Sequence, residues 1–470
     1  MANQESTIRS IHDFASQNPN ITCLTSSSPQ FNQLRSIYAH PEIIPLAIIR
    51  PSTVKDVQTV VSFLATKRIE FTIRSGGHDM HGRSMRQETV ALDMRLINNV
   101  TVNPHSSEAA GSETSTATAT ATIGGGILTG DLISTLHSHG YATPVGSVPA
   151  VGYVGWAMYG GYGAYSAQFG LGVDQIVGAR IVNARGEIVE ADQDLLKGIR
   201  GAGGAFGVVV ELTVRVYKIQ KILAGMIMFE STDLSTAIPQ YNSAYAALAA
   251  AEEGLPLALS VHQGILNAPT PTFTVLFVWS SSNLDVGYKW LEKIKTLSPC
   301  IASTVQETTP RGCLEDADRH FAKTTHGRMW TISMKQITEE VARVIAQYTA
   351  KMPDDPHILF DMHQLRACSP SARPNNDSVF SAREPHFEFE INTIVEDQGK
   401  LQVALAWGED FREALRRTSA ENIMPVQYLS FMREEEVDHS RIFGEHLPFL
   451  QELKRNLDPD NVFNAAISYL

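Results

Sequence analysis

Between Gly146 and Gly172 the chain places eight glycines, interleaved with Tyr153, Trp156, Tyr159, Tyr162 and Tyr165. A segment so rich in glycine loses much backbone entropy when it orders, so its ordered form needs a compensating contact. Aromatic side chains among glycines suit a flat, extended ligand lying against backbone; a tightly packed core turn is the competing structure. Glycine punctuates the chain at three further places. Arg74-Ser75-Gly76-Gly77-His78 closes the apolar run FTIR, where paired glycines let backbone N–H groups approach an anion and the arginine adds charge. Gly124-Gly125-Gly126 precedes a helix start that could seat an anion. Gly201-Ala202-Gly203-Gly204-Ala205-Phe206-Gly207-Val208-Val209 runs into a buried strand. At each, an ordinary turn is an equally good account of the residues alone.

Strand and helix patterns alternate from the start, so α and β elements are mixed along the chain, as an α+β fold requires. After Pro51, Val54, Val57, Val60, Val61 and Leu64 fall on one helical face, with Ser52 or Thr53 as cap. Residues 104–122 are low in complexity and end in a Thr/Ala alternation that suits a strand. IVGARIVNARGEIVEA reads as a hairpin about its Arg-Gly turn, and a helix after the glycine triplet closes at Gly140. Past VVVELTVRVYKI the glycine density drops, which places a domain boundary near residue 218. Of 470 residues, 43% are hydrophobic and 19% charged, with a net charge of −12, so disorder and nucleic-acid binding are disfavoured. No apolar run is long enough to span a bilayer, and the N-terminus lacks the pattern of a secretory signal, so a cytoplasmic protein is expected. Cys23, Cys300, Cys313 and Cys368 have no metal-ligand spacing, and no metal is expected. GGGILTG is not a dinucleotide fingerprint, and no phosphate loop of the G-x-x-x-x-G-K type occurs.

Taken in order, R-S-G-G-H, the G-G-G helix start, the P-x-x-G-Y segment with its G-G-Y-G, and G-A-G-G-x-F-G-V-V resemble one family. It is the FAD-linked oxidases of the vanillyl-alcohol-oxidase superfamily, in the berberine-bridge-enzyme-like branch. The closing Leu457-Asp458-Pro459-Asp460-Asn461-Val462-Phe463 also resembles that branch, and the likeness covers roughly residues 40–218 and 425–465. The resemblance implies a two-lobed FAD-binding domain over residues 1–218, a substrate-binding domain over 219–424 with an antiparallel sheet covered by helices, and a segment, 425–470, returning to the FAD domain. It implies a covalent bond from His78 to the flavin. Arg74, Ser75, Gly76 and Gly77 would lie at the pyrophosphate, and Ser147, Val151, Gly152, Trp156, Gly160, Gly161 and Gly163 along the flavin. Gly204, Gly207 and Val208 would lie near its other end, with Asn461 in the closing motif.

The departures from the family pattern are informative. Where many relatives carry a second, cysteinyl tether, this chain has Val148, so a single bond through His78 is expected. Trp156 replaces a histidine that contacts the ribityl chain, and Val151 is the residue found in relatives that use oxygen well. The family's tyrosine base is Phe431 here, which has no acid or base function. Tyr428 remains as a group shaping the site, and Asp361 and His363, two apart in ILFDMHQLR, share one face of a strand. Glu388 and Glu390 have the same relation in HFEFEIN. The expected activity is removal of a hydride from an alcohol or from a phenolic, polyketide-like or alkaloid-like intermediate of specialised metabolism. Electrons would pass to O2 to give H2O2, and oxidation could drive a cyclisation. A carbohydrate oxidase, a non-redox flavin-bound cyclase and a flavin-free binding protein are the competing readings. The small-molecule substrate and O2 are the expected partners, with no nucleic acid or membrane, for a monomer or homodimer.

Overall fold

In the computed structural model, which describes residues 2–104, 119–267, 269–318, 325–467 and 470, Thr53 opens the helix Val54–Lys67 with a reciprocal cap. Its hydroxyl accepts from Asp56 N at 3.1 Å, while the Asp56 carboxylate accepts from Thr53 N at 2.9 Å. Val57, Val60, Val61 and Leu64 are fully buried on the face their spacing predicts, and Arg68 ends the helix at φ 51°. The helix packs on a sheet of β1 (Thr22–Leu24), β2 (Ala47–Arg50), β3 (Phe71–Arg74) and β4 (Val90–Asp93), in spatial order β1-β2-β4-β3. Because the helix carries the chain from the end of β2 back to the start of β3, β2, β4 and β3 run parallel.

The second sheet is antiparallel: β5 (Val100–Pro104), β6 (Ala119–Gly124), β7 (Tyr141–Ala142), β8 (Ile176–Val182), β9 (Ile188–Glu190) and β10 (Val208–Lys218). The expected hairpin is β8–β9, turning at Gly186 with φ +76°. Most of the low-complexity segment, residues 105–118, lies outside the described residues. The central strand β10 serves two cores: Val208 and Val210 join the first sheet's core, whereas Leu212, Val214 and Val216 join the second's.

Beyond Lys218 the chain enters a third antiparallel sheet of β11 (Ile222–Phe229), β12 (Leu259–Asn267), β13 (Pro271–Trp279), β14 (Cys300–Ser303), β15 (Gln306–Thr308), β16 (Met329–Met334), β17 (Leu359–Leu365) and β18 (His386–Asn392). Its main order is β14-β11-β13-β12-β17-β18-β16. One face, with Phe273, Phe277, Phe360 and Phe389, packs against the helices Leu234–Ala250, Leu284–Lys295, Glu339–Thr349 and Leu401–Arg416. The alternating residues of β12, β17, β18 and β16 put polar side chains on the opposite face. The final helix, Leu447–Leu457, stops at Asp458-Pro459, and Phe463 packs edge-on to Phe71 at 5.9 Å in the first core. Among the described residues no helix is long and apolar enough to cross a membrane. The four cysteines are free.

Candidate functional site

Arg74 ends β3 with its guanidinium turned inward, donating to the carbonyls of Leu34 and Ser36. Burial and the charge of Arg95 bring its pKa down to about 10. Its charge holds the 34–36 loop, a use the sequence did not suggest. The backbone that follows leaves a run of amide groups free. No acceptor among the described residues takes the N–H groups of Gly76, Gly77 or His78, and Gly77 has φ +74°. A Cβ on Gly76 would fall 2.3 Å from Ala150 O, and one on Gly152 only 1.7 Å from Ser75 Oγ. The loops 75–77 and 150–152 therefore interlock at a separation that requires glycine in both. His78 stands half-buried at the end of that run, stacked on Tyr38 with ring centroids 4.6 Å apart. Burial, then the Arg74 charge, lower its pKa to about 4, and no described residue hydrogen-bonds its ring. It is a neutral imidazole with a nitrogen lone pair available. Unpartnered backbone donors, two loops with no room for a side chain and a neutral histidine beside them fit a flavin dinucleotide.

The other glycine clusters answer largely to the chain itself. The indole of Trp156 packs against the glycine-rich stretch, so that a Cβ on Gly146, Gly161 or Gly172 would fall 3.0, 3.2 or 2.5 Å from it. Gly160 instead faces Phe380 and Tyr428. In the Gly124–Gly126 triplet, added Cβ atoms would strike the carbonyls of Ile97, Val209 and Met94 at 2.4, 1.9 and 1.8 Å. The helix Thr129–Ser138 that follows is no anion seat: Thr129 N and Gly130 N both donate, at 2.9 Å, to Val151 O and Pro149 O. Gly207 abuts Val182 O, Gly204 meets Ala466, and Val208 lies in the first core. Ser147 and Asn461 are exposed, the latter in a turn with φ 51°. Residues 75–78 and 150–152 come together; the Arg74 guanidinium turns to Leu34 and Ser36, Gly207 and Val208 pack within the chain, and Asn461 lies at the surface.

Asp361 and His363 share the polar face of the third sheet with Glu388 and Glu390, and the register pairs Asp361 with Glu390 and His363 with Glu388. Sequence reading missed His262 on β12, whose Nε2 lies 3.3 Å from Asp361 Oδ2. His363 Nε2 is 3.3 Å from Glu390 Oε1, and the two histidine rings are 4.1 Å apart and nearly perpendicular. Burial opposes charge on His262, but the hydrogen bond and charge of Asp361, with Glu390, raise its pKa. Burial and His262 hold His363 down to about 3. Burial and Asp361 push Glu390 well above the usual carboxylate range. Glu388, accepting from Thr331 and Ser333, is pushed up to about 8 by burial and the neighbouring Glu390. Tyr162, from the glycine-rich stretch, donates or accepts at His386 Nε2 over 2.7 Å and packs edge-on to Tyr428 at 5.1 Å. Burial, with Glu390 and Glu388 nearby, keeps the Tyr428 phenol neutral by raising its pKa. Arg83, paired with Asp79 at 2.8 Å, donates to Ser430 O and Met432 O and so ties the Tyr428 segment to the loop after His78.

Residues 45–192 match the family model of an FAD binding domain. The chain is 30% identical over 453 residues to the FAD-linked oxidoreductase aurO of Gibberella zeae, covering 95% of this chain and 85% of that one. Its fold resembles that of BBE-like 1 from Physcomitrella patens, with a TM-score of 0.80 at 18% identity over 98% and 99% of the two chains. It also resembles the glucooligosaccharide oxidase of Acremonium strictum, whose flavin is a 6-S-cysteinyl, 8α-N1-histidyl FAD, with a TM-score of 0.77 at 19% identity over 96% and 97%.

Proposed function

This chain belongs to the FAD-linked oxidoreductases, and from that premise we propose that it is a member of the berberine-bridge-enzyme-like branch of the vanillyl-alcohol-oxidase superfamily and a singly tethered FAD oxidase of an alcohol or phenolic intermediate of specialised metabolism. The observation that carries this reading is the neutral His78, its ring without a hydrogen-bond partner among the described residues, beside a loop pair that a side chain cannot enter without displacing backbone or Ser75. When bound, the flavin supplies hydride acceptance and the passage of electrons to O2, giving H2O2. The N–H groups of Gly76, Gly77 and His78 would hold the pyrophosphate, and the His78 imidazole would provide the bond to the ring system. Val148 has no thiol, so a second tether of the cysteinyl kind is absent.

Proton handling falls to the third sheet. Phe431 has no proton to move, and Tyr428 is held as a neutral phenol. Of His363 and Glu390, 3.3 Å apart, only the neutral His363 can accept the substrate hydroxyl proton, because burial keeps Glu390 protonated; His262 and Asp361 fix the geometry behind them. Tyr428, Tyr162 and Phe380 flank the substrate with aromatic surface, which favours a flat aromatic compound over a sugar. The test is the visible spectrum of purified protein before and after acid precipitation. Flavin colour stays in the pellet of the wild type and is lost from it in His78→Ala, and substrate turnover releases H2O2. Colour freed into the supernatant from the wild type would overturn the covalent assignment, and turnover with no oxygen consumed would overturn the oxidase.

A further inference from the structure

Behind Thr331 and Ser333, whose hydroxyls hold Glu388, a cleft of about 70 Å³ opens between β16 and the segment 423–441. One water occupies roughly 10–15 Å³ by the same measure, so the cleft has room for a small functional group and the edge of the body that carries it. Its lining is mixed in chemistry. Val426, Tyr428, Phe431 and Met432 supply apolar surface, and Arg412, Arg416 and Arg441 line it together with one carboxylate, Glu436.

That carboxylate is already engaged. Glu436 accepts from Arg412 Nη1 at 3.0 Å, from Arg433 N at 3.2 Å and from Arg328. Burial opposes its charge, but Arg328 and Arg412 outweigh it and hold its pKa down to about 2. Arg412 is fixed by its stacking 4.2 Å over the Trp330 ring. Its Nε is nevertheless buried without a hydrogen-bond acceptor, the nearest carboxylate, Glu413, standing 3.8 Å away. Gln427 Oε1 is buried without a donor. Arg441 donates Nε to Pro425 O and forms no salt bridge among the described residues. Arg416 pairs with Glu413 at 2.8 Å at the solvent side, which leaves Arg441 without a carboxylate among the described residues. With that guanidinium, a buried N–H with no acceptor and an amide oxygen with no donor, the lining is incomplete as a purely structural network.

We propose that this cleft receives a carboxylate of the substrate, which makes the substrate an aromatic carboxylic acid. Arg412 Nε, Arg416 and Arg441 take the carboxylate, Gln427 Oε1 accepts from a hydroxyl adjacent to it, and Tyr428 and Phe431 lie against the ring. The inference rests on the reading above that substrate is oxidised beside Tyr428, and it narrows that reading to acids.

The probe is benzoate, compared with its uncharged counterpart benzamide, titrated into the purified flavin-loaded protein at neutral pH. Binding is followed by calorimetry and by perturbation of the flavin spectrum. Benzoate is expected to bind at least tenfold more tightly than benzamide, and Arg416→Gln and Arg441→Gln are each expected to weaken benzoate at least fivefold while leaving benzamide unchanged. Both side chains reach solvent, so the variants retain the fold, which an unchanged thermal midpoint verifies. Equal affinities for the two probes, or wild-type benzoate affinity in both variants, would overturn the proposal. Calorimetry needs no turnover, so failure of this site and failure of the oxidase reading register separately.

Discussion

Glu388 shows how one side chain joins the site to stability. It is fully buried on β18 between two hydroxyls, and burial and Glu390 raise its pKa from 4.5 to about 8, against the Ser333 hydrogen bond. Between those values the folded protein retains a proton that the unfolded chain has released. Stability from this group is therefore complete at acid pH, falls as pH rises through that window, and levels off above 8. Glu388→Gln has no proton to retain, and its amide oxygen still accepts from Thr331 or Ser333. Relative to wild type, the variant should gain on the order of 1.4 kcal/mol per pH unit across the window. Urea unfolding of both proteins at pH 5, 6, 7 and 8 measures this, and a stability difference that does not change with pH would show Glu388 ionised in the fold. His78 shifts in the opposite chemical sense: burial keeps it neutral down to about pH 4, which preserves its lone pair throughout the physiological range.

The helix Val54–Lys67 was legible because its cap and its apolar period lie within the helix itself, whereas the glycine triplet was ambiguous because its reason lies elsewhere in the chain. The carbonyls that exclude side chains at Gly125 and Gly126 belong to Val209, on the paired strand β10, and to Met94, just past β4 of the other sheet. Gly126→Ala would place its Cβ 1.8 Å from Met94 O, a backbone atom that cannot step aside, and should cost more than about 3 kcal/mol. Gly155 is the contrasting case within the helix Tyr153–Met158: its Cβ would meet nothing within 4 Å, so Gly155→Ala should be stabilising by roughly 0.5–1 kcal/mol. Thermal unfolding of the two variants decides the matter, and equal effects would mean that glycine here serves flexibility and not close approach. The polar sheet face was half legible. The alternation in DMH and HFEFE put Asp361, His363, Glu388 and Glu390 in phase, but their pairing with His262, and Tyr162 with His386, depends on strand register and loop closure that no local pattern encodes.

At the scale of the molecule, the closing segment joins two cores through one buried ion pair. Lys454 Nζ donates to Asp458 Oδ2 at 2.7 Å and to Ala205 O at 2.8 Å, both side chains being almost wholly excluded from solvent. Asp458 also accepts from Val462 N at 2.8 Å and Phe463 N at 2.9 Å, turning the chain so that Phe463 reaches Phe71 in the first core. The L-D-P-D-N-V-F motif was legible as a resemblance, but this role was not, because the lysine's second acceptor lies in the Gly201–Gly207 turn. Lys454→Met keeps the apolar stem and removes the charge, leaving a buried carboxylate with only backbone donors. A cost of about 3–5 kcal/mol follows. Asp458→Asn keeps one acceptor for the backbone amides but strands the ammonium, so it should cost a similar amount. In the double variant neither charge is left alone, and its cost should fall well short of the sum of the singles. Urea unfolding of the four proteins measures the coupling. Additive costs would mean that the pair contributes nothing as a pair, and that the C-terminal segment is held by Phe463 and its apolar neighbours alone.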